Sequence, residues 1–157
     1  PGVGGHCIPL DPWFLIADNQ ANSKLMTAAR NTNIAKEEWV VKKIQNALAK
    51  DLFKNKNKPT INVYGLTYKA DVGDIRESPS ISIIEMLCRS NEVCINIIDP
   101  FVNKLPEHLY SLGVTLNLEQ VPDISVILVN HTNFKDYEFK GIIVDIVGLT
   151  ISQPSLA

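Results

Sequence analysis

Short apolar segments alternate with helical sequence in the second half of this chain, and this alternation limits the possible folds more than any other feature. Four segments are predicted to be strands: 60–66, 93–98, 125–129 and 141–146. Three of them are almost wholly apolar, as parallel strands covered on both faces are. Between the first two, apolar residues recur at helical spacing over 78–89, with Pro79 in the first turn. The pattern predicts an α/β fold in which helices flank a Rossmann-like parallel sheet with right-handed crossovers.

A long amphipathic helix is predicted ahead of the sheet. Between positions 21 and 52 the chain has neither Pro nor Gly, and apolar residues recur at helical spacing. The apolar stripe consists of Ile34, Val41, Ile44, Leu48 and Leu52, widened by Trp39 and Val40. A break near Asn33 and Lys36 is allowed, because both positions interrupt the stripe.

A polar connector divides the chain into two regions. The run 54–58 is closed by Pro59, which cannot continue a helix. The first region is therefore 1–58 and the sheet region 59–157. Because the sequence opens at Pro1 without Met, directly in a Gly-rich loop, we expect a preceding segment to be missing.

Charge and cysteine content argue against several classes of protein. The formal net charge of −2 comes from 15 basic and 17 acidic residues spread along the chain, so neither nucleic acid nor an anionic membrane is an expected partner. No apolar run approaches the ~20 residues that a transmembrane helix requires. Three cysteines at unrelated spacings do not suggest a secreted disulfide framework, which favours a reducing cytoplasm.

The first loop carries the residues best suited to covalent chemistry. Gly2, Gly4 and Gly5 permit unusual backbone angles and would let a ligand approach the main chain beside Cys7 and Asp11. A thiol with a lowered pKa attacks carbonyl carbons, and a nearby carboxylate can orient a water molecule. The alternative is a small buried thiol in a tight turn.

His6 suggests two other kinds of site, and both are disfavoured. A metal site needs more ligands than His6 and Cys7 supply, so no metal is predicted. A role for His6 as the base of Cys7 is disfavoured because adjacent side chains usually diverge. An unrelated cysteine hydrolase lacks support, since the sequence has neither a second histidine motif nor a GxCxG-like elbow.

A second group of charged residues follows the first predicted strand. Lys69, Asp71, Asp74 and Arg76 lie at the carboxyl edge of the sheet, where ligands normally bind. The N-terminus of the helix that begins near Ser78 favours a phosphate or carboxylate there. The equally favoured alternative is that Arg76, Glu77 and Asp74 pair with one another or cap the helix. A GxGxxG dinucleotide fingerprint is absent after every predicted strand.

Two other polar residues near strand ends receive no ligand role. Asp99 follows a strand, as does the acidic residue that binds the ribose in dinucleotide-binding folds, but Asp-Pro at a strand end is equally typical of a turn. His131 is expected to be a capping or surface residue.

Two strings of sequence resemble one enzyme family. PGVGGHCIPLDP, at 1–12, closely resembles the GxGGHCIPxDP signature of the UDP-glucose and UDP-N-acetylmannosamine 6-dehydrogenases. GLTYKAD at 65–71 and DIRESPS at 74–80 continue the resemblance in the same order. It reaches the Asp-Pro pair at Asp99 and fades only near the end, where Val147 stands in place of the basic residue that the resembling segment often has.

The resemblance implies oxidation of a sugar C6 alcohol to a carboxylate by two hydride transfers to NAD. It implies that Cys7 holds the aldehyde and then the thioester, and that Asp11 works with a lysine outside this sequence. The matched contacts are Gly2, Val3, Gly4, Tyr68 and Lys69 for the UDP-sugar and Arg76 for NAD. NAD would be bound mainly by an N-terminal domain absent from this chain, so the chain alone is expected to be inactive.

The resemblance also implies a homodimer formed through the long helix, whose apolar face exceeds what one small sheet covers. The sugar is left open between N-acetylmannosamine and glucose, with 11–14 and 129–134 more similar to the N-acetylmannosamine branch. A non-catalytic nucleotide-binding or dimerisation module is the alternative of a different class.

Overall fold

The computed structural model describes residues 1–49, 53, 56–90 and 92–150. Within these residues the elements are, in chain order, α1 (Asp11–Asp18), α2 (Lys24–Leu48), β1 (Thr60–Tyr64), α3 (Pro79–Cys88), β2 (Cys94–Ile98), α4 (Glu107–Ser111), β3 (Thr115–Leu116), β4 (Ile124–Ile127) and β5 (Ile142–Asp145). A short 3₁₀ helix, Thr132–Phe134, lies between the last two strands. The four predicted strands are all present, and residues 1–10 form a loop as expected.

All strand pairings in the described part of the sheet are parallel, in the order β3-β2-β1-β4-β5. β1 is central, with Ile61 level with Ile95 of β2 and Ile124 of β4. The chain adds β2 on one side of β1 and β4 on the other, so the carboxyl ends of these strands meet at one edge. Such an edge is where open α/β sheets bind ligands. The predicted α/β fold with a Rossmann-like parallel sheet is confirmed.

Two apolar clusters cover the two faces of the sheet. On one face, buried side chains of α2 and α3 pack against strand residues that include Ile61, Val63 and Val126. On the other face, Tyr64 and Ile127 pack with Phe134 and Leu149. Because successive strand residues point to opposite faces and both faces are covered, the strands are mostly apolar. The exceptions are Asn62, Asn96 and Ser125, which are level with one another, buried and hydrogen-bonded.

α3 begins where the sequence predicts. Ser78 is its N-cap residue, whose Oγ accepts a hydrogen bond from Ser80 N at 3.3 Å. Pro79 occupies the first turn, where its missing N–H leaves no intrahelical bond unmade. α1, α4 and β3 are not in the sequence prediction. α4 and β3 are five and two residues long, too short to display a periodicity.

α2 is continuous through Asn33 and Lys36, so the allowed break is absent. Its buried residues lie in its C-terminal half: Val40, Val41, Ile44 and Ala47. The helix therefore packs on the sheet with its second half only, while the first half extends beyond the sheet and contacts α1.

Two residues of the predicted apolar stripe of α2 are more exposed than the pattern indicated. Ile34 and Trp39 are 42% and 43% exposed. The Trp39 ring is instead covered by the ammonium groups of Lys36 and Lys43, at 3.6 and 4.5 Å from its centroid. Leu52 and positions 54 and 55 of the connector lie outside the described residues. Across the described ranges, no helix combines the length and apolar character needed to cross a membrane.

Candidate functional site

The loop that carries Cys7 is held against both α2 and the turn after β1. Val3 N donates to Asn33 Oδ1 at 2.7 Å, and Asn33 Nδ2 donates to Val3 O at 3.4 Å. Gly5 N donates to Arg76 O at 3.0 Å. The two motifs that the sequence singles out are therefore in direct contact, and Asn33, which received no role from the sequence, fixes the loop backbone.

Gly4 lies at the closest contact of this interface. A Cβ placed on Gly4 would lie 2.5 Å from Glu77 O, 2.7 Å from Tyr68 Cβ and 2.9 Å from Pro79 Cδ. Only glycine allows the two segments to approach so closely. The sequence suggested that the loop glycines admit a ligand, whereas at Gly4 the group that approaches is the protein itself. Contact of this loop with a substrate stays a prediction.

Cys7 is exposed, and its thiol lies beside an imidazole. His6 Nδ1 is 3.3 Å from Cys7 Sγ, so the two adjacent side chains converge, contrary to expectation. The carbonyl of Cys7 accepts hydrogen bonds from Leu10 N at 3.0 Å and Asp11 N at 2.8 Å. Asp11, the first residue of α1, is thus one turn from Cys7. An exposed thiol beside an imidazole is able to attack a carbonyl carbon, and the role of Cys7 as nucleophile stays a prediction.

Arg76 is paired within its own turn. Its Nε and Nη2 donate to the Asp74 carboxylate, the shortest bond being 2.7 Å, and its side chain is 62% exposed. These bonds lower the pKa of Asp74 to about 2. The pKa of Arg76 is raised, chiefly by the bond to Asp74 and to a smaller extent by Tyr68 and Cys7. The pairing that the sequence left as an alternative is therefore present.

Tyr68 and Lys69 follow β1 at the ligand-binding edge, as predicted. Tyr68 N donates to Asp74 O at 3.1 Å and closes the turn. The Tyr68 ring lies against Gly5, where an added Cβ would be 3.2 Å from Cε2. The Lys69 side chain is exposed, and no described residue forms an ion pair with it. Its ammonium group is therefore accessible to an anionic ligand.

Two residues without a role in the sequence prediction are fully buried next to this turn. The side chains of Asp99 and His131 are both 0% exposed, and His131 Nε2 lies 3.2 Å from Asp99 Oδ2. Burial acts to raise the pKa of Asp99, but hydrogen bonds from His131, Leu66 N and Phe101 N outweigh it, so the pKa lies below its ordinary value. His131 is therefore not a surface residue, as the sequence allowed; it does occupy the N-cap position of the 3₁₀ helix Thr132–Phe134, but its side chain forms no capping bond. No local signal shows its burial, because that depends on strands distant in sequence.

Comparison with known proteins agrees with this arrangement. Residues 62–150, more than half of the chain, match the UDP-glucose/GDP-mannose dehydrogenase family, UDP binding domain. The chain belongs to this family. It is 35% identical over 141 residues to a UDP-N-acetyl-D-mannosamine dehydrogenase of Escherichia coli (strain K12), covering 86% of this chain and 34% of that protein. The predicted family membership is confirmed.

Two other relatives extend the comparison. An NDP-N-acetyl-D-galactosaminuronic acid dehydrogenase of Ralstonia nicotianae is 36% identical over 138 residues, covering 86% of this chain and 31% of that protein. The structure of a UDP-D-ManNAc dehydrogenase from Pyrococcus horikoshii superposes with a TM-score of 0.77 at 26% identity, covering 98% of this chain and 37% of that one. This family member thus spans about a third of the length of these relatives. The Cys7 loop precedes the matched UDP binding domain.

Proposed function

We propose that this chain provides the cysteine loop and the nucleotide-binding half of a UDP-sugar 6-dehydrogenase. The observation that carries the proposal is the docking of the Cys7 loop on the turn from Tyr68 to Arg76, which leaves the thiol exposed beside the ligand-binding edge of the sheet. Family membership supports the substrate class, because the matched domain is described as UDP binding. In this proposal Lys69 contacts the diphosphate, and the sugar extends toward the cysteine loop.

Cys7 would carry the covalent steps. After the C6 alcohol has been oxidised to the aldehyde, the Cys7 thiolate adds to C6 and forms a thiohemiacetal. Loss of hydride from C6 and of the hydroxyl proton to water converts this adduct to a thioester, and a second water then attacks C6 and releases the carboxylate and the thiol. Asp11, one turn away, would accept the proton of that water.

The two hydrides need an acceptor, and we propose NAD bound by a separate domain. The crevice of this sheet does not fit a dinucleotide, because Asp99 is buried and its oxygens accept internal hydrogen bonds. At Gly65, which follows β1, an added Cβ would collide with Val129, so this glycine permits chain packing and not the approach of a pyrophosphate. Within this chain we propose a contact with NAD for Arg76, which is exposed. We therefore expect no NAD-dependent turnover from the purified 157-residue chain.

We propose UDP-N-acetylmannosamine as the sugar nucleotide, with UDP-glucose as the alternative. The Escherichia coli and Pyrococcus horikoshii relatives both carry N-acetylmannosamine in their names. The segments 11–14 and 129–134 are similar to the same branch. The Ralstonia relative is named for a different N-acetylated sugar, so the acetamido group is the feature that these names share.

Calorimetric titration tests the nucleotide site. Both UDP-sugars should bind the wild-type chain more tightly than UMP or free N-acetylmannosamine, and Lys69→Ala should weaken binding by about tenfold or more. Lys140→Ala is the matched control, since it removes the same charge ahead of β5, at the opposite end of the strands, where Lys140 pairs with Glu138. Unchanged affinity in Lys69→Ala would place the nucleotide elsewhere, and no binding at millimolar ligand would contradict the site.

The reactivity of the thiols tests the catalytic part independently. Cys7 and Cys94 are both exposed, but of these two thiols only that of Cys7 has His6 beside it. Iodoacetamide should therefore alkylate Cys7 faster than Cys94 at neutral pH, and His6→Asn should reduce the difference. Nucleotide binding without enhanced Cys7 reactivity would favour the non-catalytic module. The three free cysteines suit the proposed location in a reducing cytoplasm.

We also propose a homodimer formed through α1 and the first half of α2. Phe14, Leu15 and Leu25 are 73%, 59% and 85% exposed. Large apolar side chains this exposed on two elements in contact would be covered in a protein–protein interface. Sedimentation should show a dimer that Leu25→Glu weakens. A wild-type monomer at high concentration would contradict this assembly.

A further inference from the structure

One fully buried histidine fastens the turn that carries Lys69. His131 Nδ1 accepts a hydrogen bond from Asp71 N at 3.0 Å. Its Nε2 lies 3.2 Å from Thr67 Oγ1 and 3.2 Å from Asp99 Oδ2. Both ring nitrogens therefore form hydrogen bonds near Lys69: Nε2 with Thr67, which precedes Lys69 in the sequence, and Nδ1 with Asp71, which follows it.

The partners of the ring determine where its proton lies. Asp71 N–H can only donate, so His131 Nδ1 must be the unprotonated acceptor. Thr67 Oγ1 donates its hydrogen to Lys69 O at 3.0 Å, so toward the ring it can only accept. The Asp99 carboxylate, whose pKa is lowered, also accepts. The proton of the neutral imidazole must therefore lie on Nε2, shared between Thr67 Oγ1 and Asp99 Oδ2.

Asp99 connects the His131 ring to the residues that follow β1 and β2 through hydrogen bonds to its carboxylate. Its Oδ2 accepts from Leu66 N at 2.7 Å and Thr67 N at 3.3 Å, and its Oδ1 accepts from Phe101 N at 2.9 Å. The buried carboxylate is thus satisfied by backbone donors as well as by the histidine, as a buried charge must be. The start of the turn, at Leu66 and Thr67, and the His131 ring are therefore hydrogen-bonded to the same carboxylate.

The end of the turn, at Asp71, is hydrogen-bonded to the residue that follows His131. The Asp71 carboxylate accepts from Thr132 N at 2.8 Å and Thr132 Oγ1 at 2.7 Å. Asp71 has a φ of 59°, a conformation that residues other than glycine seldom adopt. The hydrogen bond from the Asp71 backbone N–H to His131 and the hydrogen bonds that its carboxylate accepts from Thr132 together stabilise this conformation.

We propose that His131, as the neutral Nε2–H tautomer, is the positioning residue for Lys69 in the nucleotide site. It acts through Thr67, which holds the Lys69 carbonyl, and through the amide of Asp71, so the backbone on both sides of Lys69 is set before a ligand arrives. A pre-organised ammonium group loses less freedom when it binds a diphosphate. This role rests on the proposed nucleotide site, but the anchoring itself can be measured without ligand.

An isosteric pair of variants separates anchoring from packing. Asparagine and leucine have similar shapes, but only the asparagine oxygen can take the place of Nδ1 as acceptor for Asp71 N. We expect His131→Leu to weaken UDP-sugar binding by about tenfold or more, while His131→Asn stays within about threefold of wild type. His131 also contacts the rings of Phe101 and Phe134, at 5.1 and 5.4 Å between centroids. Loss of packing alone would affect both variants alike.

Two ligand-free measurements complete the test. Nitrogen NMR of the wild-type chain should show the His131 ring as the neutral Nε2–H tautomer, and hydrogen exchange of the Asp71 amide should accelerate in His131→Leu but not in His131→Asn. His108→Ala, which alters an exposed pair with Glu85, is the control and should change neither.

The outcomes distinguish this proposal from the proposed function. An Nδ1–H tautomer, a slow Asp71 amide in His131→Leu, or equal affinities of the two variants would overturn the positioning role. A wild-type chain that binds no UDP-sugar would instead overturn the nucleotide site and, with it, the purpose assigned to His131, even where the exchange data confirm the anchor.

Discussion

Replacing Gly4 with alanine should detach the cysteine loop from the turn after β1. The added Cβ would lie 2.5 Å from Glu77 O and 2.7 Å from Tyr68 Cβ. Carbon atoms in contact are ~3.5–4.0 Å apart, so the two segments would have to separate by about 1 Å. Neither neighbour is the end of a flexible side chain. The separation would break the bond from Gly5 N to Arg76 O, which is 3.0 Å long.

The size of the effect follows from these contacts. Overpacking of a close contact costs about 1–3 kcal/mol, and the lost hydrogen bond contributes about 1 kcal/mol. The docked loop should therefore lose about 2–4 kcal/mol, which corresponds to a population change on the order of 10²-fold. Because the sheet core does not include this loop, the change should be local, with a small effect on global unfolding.

Hydrogen exchange of the Gly5 amide is the direct assay, with the alkylation rate of Cys7 as a second measurement. Gly2→Ala is the matched control in the same loop. Its added Cβ would lie 3.1 and 3.3 Å from side-chain atoms of Pro79, a contact that a small shift relieves. Exchange should accelerate strongly in Gly4→Ala and weakly in Gly2→Ala. Unchanged exchange in Gly4→Ala, or equal effects in the two variants, would refute the steric reasoning.

Other substitutions test the fold and its pH dependence. Asp99→Asn removes a buried charge that accepts hydrogen bonds from two strand ends and should lower the free energy of unfolding by about 2–4 kcal/mol in urea. Ser78→Ala removes the N-cap of α3 and should lower it by about 0.5–2 kcal/mol, whereas Ile84→Ala, at a fully buried position, should lower it by about 2–5 kcal/mol. The pKa values of Asp99 and Asp145 are lowered in the fold, so their stabilisation is complete above the ordinary carboxyl pKa of about 3.9 and is lost as pH falls through the lower folded values. The stabilisation from these two carboxylates should thus be lost below about pH 4, less of it in Asp99→Asn, and an equal loss in the two proteins in this acid range would contradict the role of Asp99.

Much of the fold was predictable because it depends on local pattern. Four strands are apolar runs of the right length, and α3 has both a capping Ser78 and Pro79 at its start. The short elements α4 and β3 were not predictable, since a few residues carry no period and their conformation depends on contacts made elsewhere. The extent of the apolar face of α2 was overestimated for a related reason: the pattern shows which residues are apolar, but not how far the sheet extends beneath them.

The candidate site divides in the same way. The sequence by itself determined which chemical groups are present: a thiol and a carboxylate in a Gly-rich loop, and a basic turn at the carboxyl edge of a parallel sheet. Only the tertiary structure decided that the two motifs touch through Gly4 and that His6 turns toward Cys7. It alone placed Asp99 and His131 out of solvent. The physical reason is that the contacts of Gly4, Asp99 and His131 join segments dozens of residues apart, and the burial of a polar group depends on what other strands bring to it. His6 and Cys7 are adjacent, but the rotamers that bring their side chains together are not encoded in a local sequence pattern.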